Sequence, residues 1–337
     1  MTSSSLRVGV VGTGFMGGTH AAAWIAEGHE VAFLGQDVGR AAAAAASLGA
    51  TWVTSLDALL ASVDLVDVCT PTDAHVPIAL AAAAAGRHVL CEKPLALTVA
   101  DAERIASACD AAGVRLFVGH VLRYVAEYAA AQALVARGDI GTPAVLRLKR
   151  AAFRPQKPPG HWLFDPARSG GMVFDLMIHD MDYARWVGGE VTTVHCRSAA
   201  VDRPDRGVDH AFILMAHASG AITQLTGSWA YGPPTFRTSL EIAGEHGLVE
   251  YDSERAQPIV PFLQARPDSG QGAVGISKSL SREDPFREQL RDVAEALRTD
   301  GEPRVTARDA IEAVRIGVAA TESARTGQVV AITAAGR

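Results

Sequence analysis

The stretch RVGVVGTGFMGG, residues 7–18, decides the fold of the first part of the chain. A short valine-rich strand runs into three glycines in the spacing G-x-G-x-x-G, and an alanine-rich helical stretch follows. The first glycine permits a tight turn, the second lets a pyrophosphate approach the backbone, and the third lets helix and strand pack closely. The start of the helix offers free N–H groups to the phosphates. The alternative is a purely structural glycine turn. The context favours a dinucleotide site made of Gly12, Thr13, Gly14, Phe15, Met16 and Gly17.

Short apolar runs alternate with longer helical runs as far as residue 118. Uniformly apolar runs are typical of parallel strands buried on both faces, and the runs between them have the length of crossover helices. The predicted strands are Arg7–Val11, Glu30–Leu34, Leu65–Cys69, His88–Cys91 and Arg115–Val118. The predicted helices are Gly17–Ala26, Gly39–Leu48, Leu56–Ala61, His75–Ala85 and Val99–Ala111. This part is therefore predicted to be a doubly wound parallel sheet of the α/β class.

Beyond residue 122 the polarity pattern changes. A helical stretch, Tyr124–Arg137, precedes longer runs of nearly alternating polarity, which predict a mostly antiparallel sheet with hairpin turns at Ser219-Gly220 and Glu245–Gly247. These runs are 144–153, 190–201, 209–231 and 239–252, with closing helices at 285–299 and 307–326 and a mobile loop at 257–275. We predict two domains: 1–122, which binds the dinucleotide, and 123–337, an α+β domain with an open sheet that binds substrate and oligomerises.

The composition excludes several classes of protein. The net charge is −6, and the 31 Lys and Arg are scattered rather than grouped, which argues against a nucleic-acid partner. No apolar run reaches the length of a membrane span, and the first residues do not resemble a signal peptide. We expect a cytoplasmic protein with a small-molecule substrate and no nucleic acid or membrane as partner. The cysteines form no C-x-x-C pair and are predicted to be buried thiols: Cys69, Cys91, Cys109 and Cys196.

The end of the second predicted strand departs from the usual dinucleotide pattern. An Asp or Glu normally stands there and accepts hydrogen bonds from the adenine ribose of NAD. Here that position is Gly35, followed by Gln36, with Asp37 two residues late and Arg40 beyond it. A missing carboxylate removes repulsion against a 2′-phosphate, and Arg40 can pair with one, so the pattern favours NADP over NAD. The alternative is that Asp37 binds the ribose from a longer strand.

The stretch SGGMVFDLMIHDMDYARWV, residues 169–187, carries a polar stripe. Asp175, His179 and Asp182 are spaced i, i+4, i+7, which predicts that they share one face of a single helix. A carboxylate one turn before an imidazole orients the ring and raises its basicity, as a general base near neutral pH requires. The alternatives are an Asp175 that complements the helix dipole beside a structural histidine, or a metal site, for which two acids and one His are too few ligands.

The stretch HVLCEKPLALT, residues 88–98, ends a strand abruptly in an acid, a base and a proline. Ligands of open α/β sheets bind outside the carboxyl ends of strands, and both Thr70-Pro71 and Glu92-Lys93-Pro94 lie at such ends. This position predicts the rim of a site. The alternative is a surface turn with a solvated lysine.

Several segments together strongly resemble the glucose-fructose oxidoreductase, inositol dehydrogenase and MocA family (Gfo/Idh/MocA). The similarity extends over nearly the whole chain, and it implies an N-terminal Rossmann domain followed by an α+β domain. The E-K-P signature and the D-x-x-x-H helix are specific to the family, whereas the glycine turn is not. The segments are GVVGTGFMGGTH, CTPTDAHVPIALAAAAAGRHVLCEKPLA, GHVLRY, RGDIGTP and SGGMVFDLMIHDMDYARWV.

The resemblance implies roles for individual residues. The family's E-K-P lysine corresponds to Lys93, near the nicotinamide and the reacting hydroxyl, and its proline, often cis, to Pro94. The Asp and His of its catalytic helix correspond to Asp175 and His179. The residues expected at the cofactor are Gly35, Gln36, Asp37, Arg40, Thr70, Pro71, His75, Glu92, Lys93, Pro94 and His120, besides the glycine turn; among them Gly35 is a departure from the family pattern. Those expected at the substrate are Lys93, Arg123, Trp162, Asp175 and His179, with Arg154 and Tyr183 as further candidates for shaping the pocket; the alternative for Trp162 and Tyr183 is a place in the core.

The implied activity is hydride transfer between C4 of NAD or NADP and a hydroxyl or keto carbon of a sugar, cyclitol or related polyol. In this hypothesis His179 is the base, Asp175 orients it, and Lys93 stabilises charge on the oxygen. One alternative is a reductase of a dicarbonyl or a nucleotide sugar in the same family. Another is a regulator that binds NAD(P) without turnover. A homodimer or homotetramer is expected.

Overall fold

A computed structural model of the chain describes residues 5–203, 206–232, 235–254, 260–263 and 284–333. The chain divides into two compact units. The first comprises residues 1–124 and 283–314, and the second comprises residues 125–282 and 315–337. No helix in the described ranges combines the length and the apolar character that crossing a membrane requires.

The first unit is built on a six-stranded parallel sheet. Its strands are β1 (Arg7–Val11), β2 (Glu30–Leu34), β3 (Thr51–Trp52), β4 (Leu65–Val68), β5 (His88–Glu92) and β6 (Leu116–Gly119). They lie in the order β3-β2-β1-β4-β5-β6, and every neighbouring pair is parallel. The central strands are buried on both faces, which explains their uniformly apolar sequences. Because the strand order reverses between β1 and β4, the carboxyl ends of these two strands flank the place where such sheets bind ligands.

Crossover helices connect these strands. They are α1 (Phe15–Ala26), α2 (Val38–Leu48), α3 (Leu56–Ser62), α4 (His75–Ala84) and α5 (Val99–Ala111). Three of them begin at a side chain that accepts a backbone N–H, which satisfies one of the free donors at a helix start: Asp37 for α2, Ser55 for α3 and Thr98 for α5.

The second unit is built on a mixed sheet covered by helices. Its helices are α6 (Ala126–Ala136), α7 (Pro166–Ser169), α8 (Gly171–Asp175) and α9 (Ile178–Gly188). Its strands are β7 (Pro143–Phe153), β8 (Val191–Arg203), β9 (Arg206–His217), β10 (Ile222–Tyr231), β11 (Phe236–Gly244), β12 (Gly247–Asp252), β13 (Val260–Leu263) and β14 (Val330–Ala331). The sheet order is β13-β12-β11-β7-β10-β9-β8-β14. Only the β7–β10 pair is parallel among the described strands.

Two helices close the chain, α10 (Pro285–Thr299) and α11 (Ala307–Thr326). Leu290, Val293 and Ala296 of α10 lie in the same buried cluster as Val8 and Trp24 of the first unit. Helix α10 therefore belongs to the same compact unit as the sheet of residues 1–124, and not to the unit of the preceding sheet. The predicted division into 1–122 and 123–337 misses this return of the chain to the first unit. The sequence shows that α10 has an apolar face, but it does not show which core that face joins.

The fold class is as predicted, an α/β Rossmann sheet followed by a mostly antiparallel sheet. The turns at 219–220 and 245–247 join antiparallel strands, as expected. One prediction was wrong: the single helix expected over residues 171–187 is two helices, α8 and α9, separated at Leu176 and Met177. The loop predicted at 257–275 lies outside the described residues, except for β13. All four cysteines are buried and free of disulfides, as predicted.

Candidate active site

The glycine turn lies between β1 and α1, and each of its glycines has a separate geometric reason. Gly12 has φ +118°, and a Cβ there would collide with the carbonyl oxygen of Cys69 at the end of β4. A Cβ on Gly17 would collide with the carbonyl oxygen of Gly12. At Gly14, the residue that caps α1, the Cβ position is open on every side. The turn therefore packs tightly against the sheet and leaves free space where the predicted pyrophosphate approaches.

The first side chains of α1 extend this open surface. Phe15 is 79% exposed, and Met16 and Thr13 are half-buried. At the end of β4, the hydroxyl oxygen of Thr70 is buried and has no hydrogen-bond partner within the described part of the chain. A buried hydroxyl without a partner costs free energy, which a ligand that bonds to it removes. The open position at Gly14 and the unsatisfied Thr70 hydroxyl both fit a dinucleotide at this edge of the sheet.

The Glu92-Lys93-Pro94 turn follows β5, and its three side chains differ in exposure. Glu92 and Pro94 are buried, whereas Lys93 between them is half-buried. The Lys93–Pro94 peptide bond is cis. Side chains of consecutive strand residues point to opposite faces, so a Glu92 turned inward leaves Lys93 turned outward. Glu92 was predicted at the cofactor, but its carboxylate lies 3.2 Å from the Nε2 atom of His20, inside the unit.

His75, at the start of α4, connects two strand ends. Its Nδ1 lies 2.9 Å from the Pro94 carbonyl oxygen and its Nε2 lies 3.1 Å from the Thr70 carbonyl oxygen. Burial lowers the pKa of His75, so the ring is neutral at pH 7 and donates to one of the two carbonyls at a time. The ring is completely enclosed, so its geometry supports a structural link between the Thr70 and Pro94 segments rather than direct contact with a ligand.

The segment after β6 contains His120 and Arg123, and both are buried. Arg123 is only 1% exposed, and its guanidinium donates to the Asp309 carboxylate at 3.1 Å and to the Arg304 carbonyl at 3.0 Å. A guanidinium enclosed by these partners links α11 to the sheet of the first unit. This geometry argues against the substrate contact expected for Arg123.

The end of β2 shows why Gly35 has no side chain. A Cβ at this position would lie 2.8 Å from Cγ2 of Thr13, so the threonine occupies the place of the usual acid. Gln36, Asp37 and Arg40 are exposed. The Asp37 carboxylate accepts the backbone N–H of Arg40 at 3.0 Å and caps α2. Asp37 thus has a local structural role, while the Arg40 side chain extends from the first turn of α2.

In the second unit, α8 and α9 hold the predicted catalytic pair. From Met172 to Ala184, Asp175 and His179 are half-buried, and every other residue is buried. Their shared exposure supports the predicted pairing on one surface. Asp182 does not belong to that surface, because it is 1% exposed. Asp175 ends α8, whereas His179 and Asp182 both belong to α9, which Met177 caps by accepting the N–H groups of Asp180 and Met181 with its carbonyl.

The inner side of α9 is anchored to the sheet by a buried ion pair. Arg150 of β7 donates to both carboxylate oxygens of Asp180 at 2.7 and 3.1 Å. Although burial lowers the pKa of Arg150, the charge of Asp180 outweighs it and the pKa is raised. Tyr183 is fully buried, and its hydroxyl donates to the Tyr128 carbonyl at 2.9 Å. Tyr183 is therefore a core residue, and its expected role in shaping a pocket was wrong.

The loop before α7 contains the remaining candidates, Trp162 and Arg154. The Arg154 guanidinium lies 4.0 Å from the ring centre of Phe164, and Phe164 meets Trp229 edge to face at 6.3 Å. Trp162 is half-buried and lies beside His161, with ring centres 5.8 Å apart. The loop is thus held by aromatic contacts, and Trp162 remains accessible within it.

Sequence reasoning missed a buried polar cluster beneath the carboxyl ends of β4 and β5. His20 and Trp24 of α1, Asp67 of β4 and Cys69 contact one another there. Two sequence signals mark it: a histidine in the alanine-rich run FMGGTHAAAWIA and an aspartate in the apolar strand LVDV. The atoms of His20, Asp67 and Cys69 lie close enough together to be considered as metal ligands. Burial raises the pKa of the Cys69 thiol, and the thiol donates to Asp67 at 3.3 Å.

Comparison with known proteins bears on both units. Residues 6–120 match the model of the oxidoreductase family with an NAD-binding Rossmann fold, and residues 128–250 match that of the GFO/IDH/MocA C-terminal domain. Inositol 2-dehydrogenase 4 of Saccharopolyspora erythraea is 32% identical over 97% of this chain and 96% of its own. The 1,5-anhydro-D-fructose reductase of Ensifer adhaerens is 30% identical over 83% of this chain and 84% of its own.

A solved structure agrees with these sequence matches. The crystal structure of GenD2 from gentamicin A biosynthesis, in complex with NAD, is 30% identical and has a TM-score of 0.85 over 99% of this chain and 98% of that one. The first unit thus has an NAD(P)-binding Rossmann fold, and the second has the matching C-terminal domain. This chain belongs to the Gfo/Idh/MocA family of oxidoreductases.

Proposed function

We propose that this protein transfers a hydride between C4 of a nicotinamide dinucleotide and a carbinol or carbonyl carbon of a sugar, cyclitol or related polyol. The observation that carries the proposal is the exposure pattern of three side chains. Lys93, Asp175 and His179 are the accessible polar members of segments that are otherwise buried. Relatives named for inositol and anhydrofructose substrates support the substrate class.

Each of the three residues has a defined task in the proposed oxidation. His179 accepts the proton of the reacting hydroxyl as the C–H electron pair leaves with the hydride, and Asp175 orients the imidazole. Lys93 stabilises the negative charge that develops on the oxygen. The nicotinamide, when bound, supplies the hydride acceptor. In the reducing direction the same imidazole returns the proton to the carbonyl oxygen.

The test is a panel of cyclitols, aldoses, ketoses and nucleotide sugars with NAD⁺ and NADP⁺, followed by absorbance of the reduced nicotinamide. The proposal expects turnover of at least one sugar or cyclitol and its loss in Lys93→Ala and His179→Ala. The matched control is Lys149→Ala, which removes a lysine from β7 of the other unit. Turnover of nucleotide sugars alone would change the proposed substrate class to nucleotide sugars. Tight cofactor binding without any turnover would identify a regulator and overturn the proposal.

The proposal includes NADP as the preferred cofactor. Its support is the absence of a carboxylate at Gly35, the Thr13 side chain in that place and the exposed Arg40 in the first turn of α2. A guanidinium beside the 2′-phosphate forms a charge-assisted pair. Calorimetric titration with NADPH and NADH should show tighter NADPH binding, reduced about tenfold in Arg40→Gln and unchanged in the control Arg298→Gln. Tighter NADH binding by the wild type would make NAD the cofactor.

Gly35→Asp is a poor substitute for this test. Its Cβ would lie 2.8 Å from Thr13, so the variant disturbs the glycine turn as well as the ribose site. Combining it with Thr13→Gly relieves the contact and isolates the effect of the carboxylate. The double variant should favour NADH over NADPH.

We also propose that the protein is a homo-oligomer, a dimer or a tetramer, that associates through the open face of the second sheet. Phe212, Leu214 and Ile222 are each about half exposed on neighbouring strands of that face, whereas Ile213 and Met215 between them are buried. Light scattering should give a multiple of 35.3 kDa for the wild type and a smaller mass for Phe212→Lys/Leu214→Lys. Val318→Lys, an exposed apolar site on α11, is the control. A monomeric wild type would overturn this part.

The location belongs to the same proposal. The four cysteines are free and buried, which is the usual state in a reducing compartment. We therefore propose a cytoplasmic location.

A further inference from the structure

Two buried histidines of the first unit contact the residues before and after Lys93 in the chain. His75 contacts the carbonyl of Pro94, the residue after the lysine, at 2.9 Å. His20 contacts the carboxylate of Glu92, the residue before it, at 3.2 Å. His75 has a backbone carbonyl at each ring nitrogen, but His20 has a carboxylate at each. Of the two histidines, His20 therefore makes the more strongly charged contacts.

His20 links Glu92 to the centre of the sheet. Its Nδ1 lies 3.0 Å from the Asp67 carboxylate, and its Nε2 faces the Glu92 carboxylate as an ion pair without hydrogen-bond geometry. Asp67 is fixed from two further sides, because Trp24 donates to it at 2.8 Å and the Cys69 thiol at 3.3 Å. Asp67 is thus held by more contacts than Glu92.

The charge of the ring decides what the cluster does. Burial by itself lowers the pKa of His20, but the charge of Asp67 and the contacts with Asp67 and Cys69 outweigh it, so the pKa is held well above its usual value. His20 is therefore an imidazolium at pH 7. Its ring lies between the buried carboxylates of Asp67 and Glu92, at 3.0 and 3.2 Å.

The surroundings of Glu92 leave its carboxylate little freedom on the inner side. The backbone of Gly119 on β6 lies against it, and a Cβ there would collide with Oε1. Asp67 is completely buried, whereas Glu92 is 6% exposed at the end of its strand. If the cation were removed, Glu92 is the carboxylate that would turn outward, and its backbone leads directly into Lys93.

We propose that His20 is a positioning residue, which holds Glu92 inside the sheet and thereby fixes the backbone that presents Lys93. It touches neither substrate nor cofactor. The part of this inference that concerns catalysis rests on the proposed function, whereas the part that concerns the turn does not.

The test compares the full-length wild type with His20→Gln by hydrogen exchange, followed by mass spectrometry of peptides that cover residues 88–98. The expected result is exchange at least about fivefold faster in this segment, with no change in peptides of β1 and β2. His217→Gln is the matched control: His217 is also a buried histidine, but it belongs to the second unit, where its ring nitrogens lie 2.8 Å from the Gly189 carbonyl oxygen and 2.7 Å from the Thr223 hydroxyl. This control should leave the segment unchanged.

A second variant keeps the inference testable if His20→Gln does not fold. Glu92→Gln removes the charge that His20 holds and changes only the end of the strand. It should also speed exchange in residues 88–98, and combining it with His20→Gln should add little, because both act through one contact. Unchanged exchange in the folded variants would overturn the inference.

Kinetics provide the second measurement. His20→Gln should lower kcat about tenfold while the cofactor Kd stays within about twofold, since Lys93 is misplaced but the glycine turn is intact. Faster exchange in a protein that turns over no polyol would support the role of His20 and reject the proposed function. Unchanged exchange and unchanged kcat in an active enzyme would reject the role of His20 and support the proposed function.

Discussion

The turn that presents Lys93 and the helix that presents His179 are held in place by different means. The turn depends on contacts of its own neighbours, because Glu92 and Pro94 on either side of the lysine contact buried histidines. The helix is held on its inner side, where Asp180 next to His179 pairs with Arg150 and Tyr183 donates to the Tyr128 carbonyl. A side chain proposed to be catalytic can thus be positioned through the residues next to it in the chain or through a rigid element that carries it.

The largest effect is expected for His179→Ala. Removing the proposed base should lower kcat by a factor of about 10² to 10⁴, as loss of general base catalysis does elsewhere. The Kd of the cofactor should stay within about twofold, because the glycine turn belongs to the other unit. Steady-state kinetics and calorimetry measure the two quantities. A kcat within threefold of the wild type would remove His179 from the proposed mechanism.

The ion pair beneath the helix should matter chiefly for stability. Arg150→Ala leaves the Asp180 carboxylate buried without a cation, and this should lower the free energy of unfolding by about 3–5 kcal/mol. Urea unfolding measures the loss. The double variant Arg150→Met/Asp180→Leu replaces both charges by apolar groups and should recover most of it. Equal losses in the single and double variants would show that the lost packing, rather than the unpaired charge, is responsible.

The cluster beneath the turn should show itself as a pH dependence. The pKa of His20 is raised in the folded state, so protonation of the ring stabilises the fold fully below the ordinary value of 6.5 and less as the pH rises through the folded value. The charged groups that face the ring are Asp67 and Glu92, with the Cys69 thiol beside them. The wild type should therefore lose stability relative to His20→Gln as the pH rises above 6.5.

Thermal unfolding of the two proteins at a series of pH values measures this difference. A gap between their midpoints that stays constant above pH 6.5 would mean that the ring is neutral in the folded protein over that range. That result would remove the imidazolium from the cluster.

The smallest expected effect is the difference in stability between alanine substitutions at two glycines, Gly119 in the first unit and Gly227 in the second. A Cβ at Gly119 would collide with the Glu92 carboxylate, and a Cβ at Gly227 would collide with the Met177 side chain between α8 and α9. The methionine is flexible and can move aside, whereas the carboxylate is held by its ion pair. Gly119→Ala should therefore destabilise by about 1 kcal/mol more than Gly227→Ala in urea unfolding. The reverse order would contradict the rigid hold on Glu92.

The sequence revealed the local features of both regions. The spacing of Gly12, Gly14 and Gly17 predicted a turn whose glycines are required by backbone contacts, and the E-K-P motif predicted a strand end. The break between α8 and α9 was not predicted, since no glycine or proline marks Leu176 and Met177. A continuous polar stripe therefore suggested a single helix.

The missed features depend on partners far away in the chain. Arg123 resembled a substrate ligand, but its carboxylate partner Asp309 is 186 residues distant. His20 and Asp67 are separated by 47 residues, so neither explained the other before the sheet brought them together. Local spacing identified which residues are candidates for chemistry, whereas the contacts that hold those residues required the tertiary structure.

The most direct measurement follows the hydrogen itself. A sugar or cyclitol that the enzyme oxidises is prepared with deuterium on its carbinol carbon, and the reduced cofactor is analysed by mass spectrometry after turnover. Direct transfer predicts one deuterium on the nicotinamide of each reduced cofactor, and no labelled product in the Lys93→Ala or His179→Ala variants. A reduced cofactor without deuterium would contradict hydride transfer from that carbon, and with it the roles proposed for both residues.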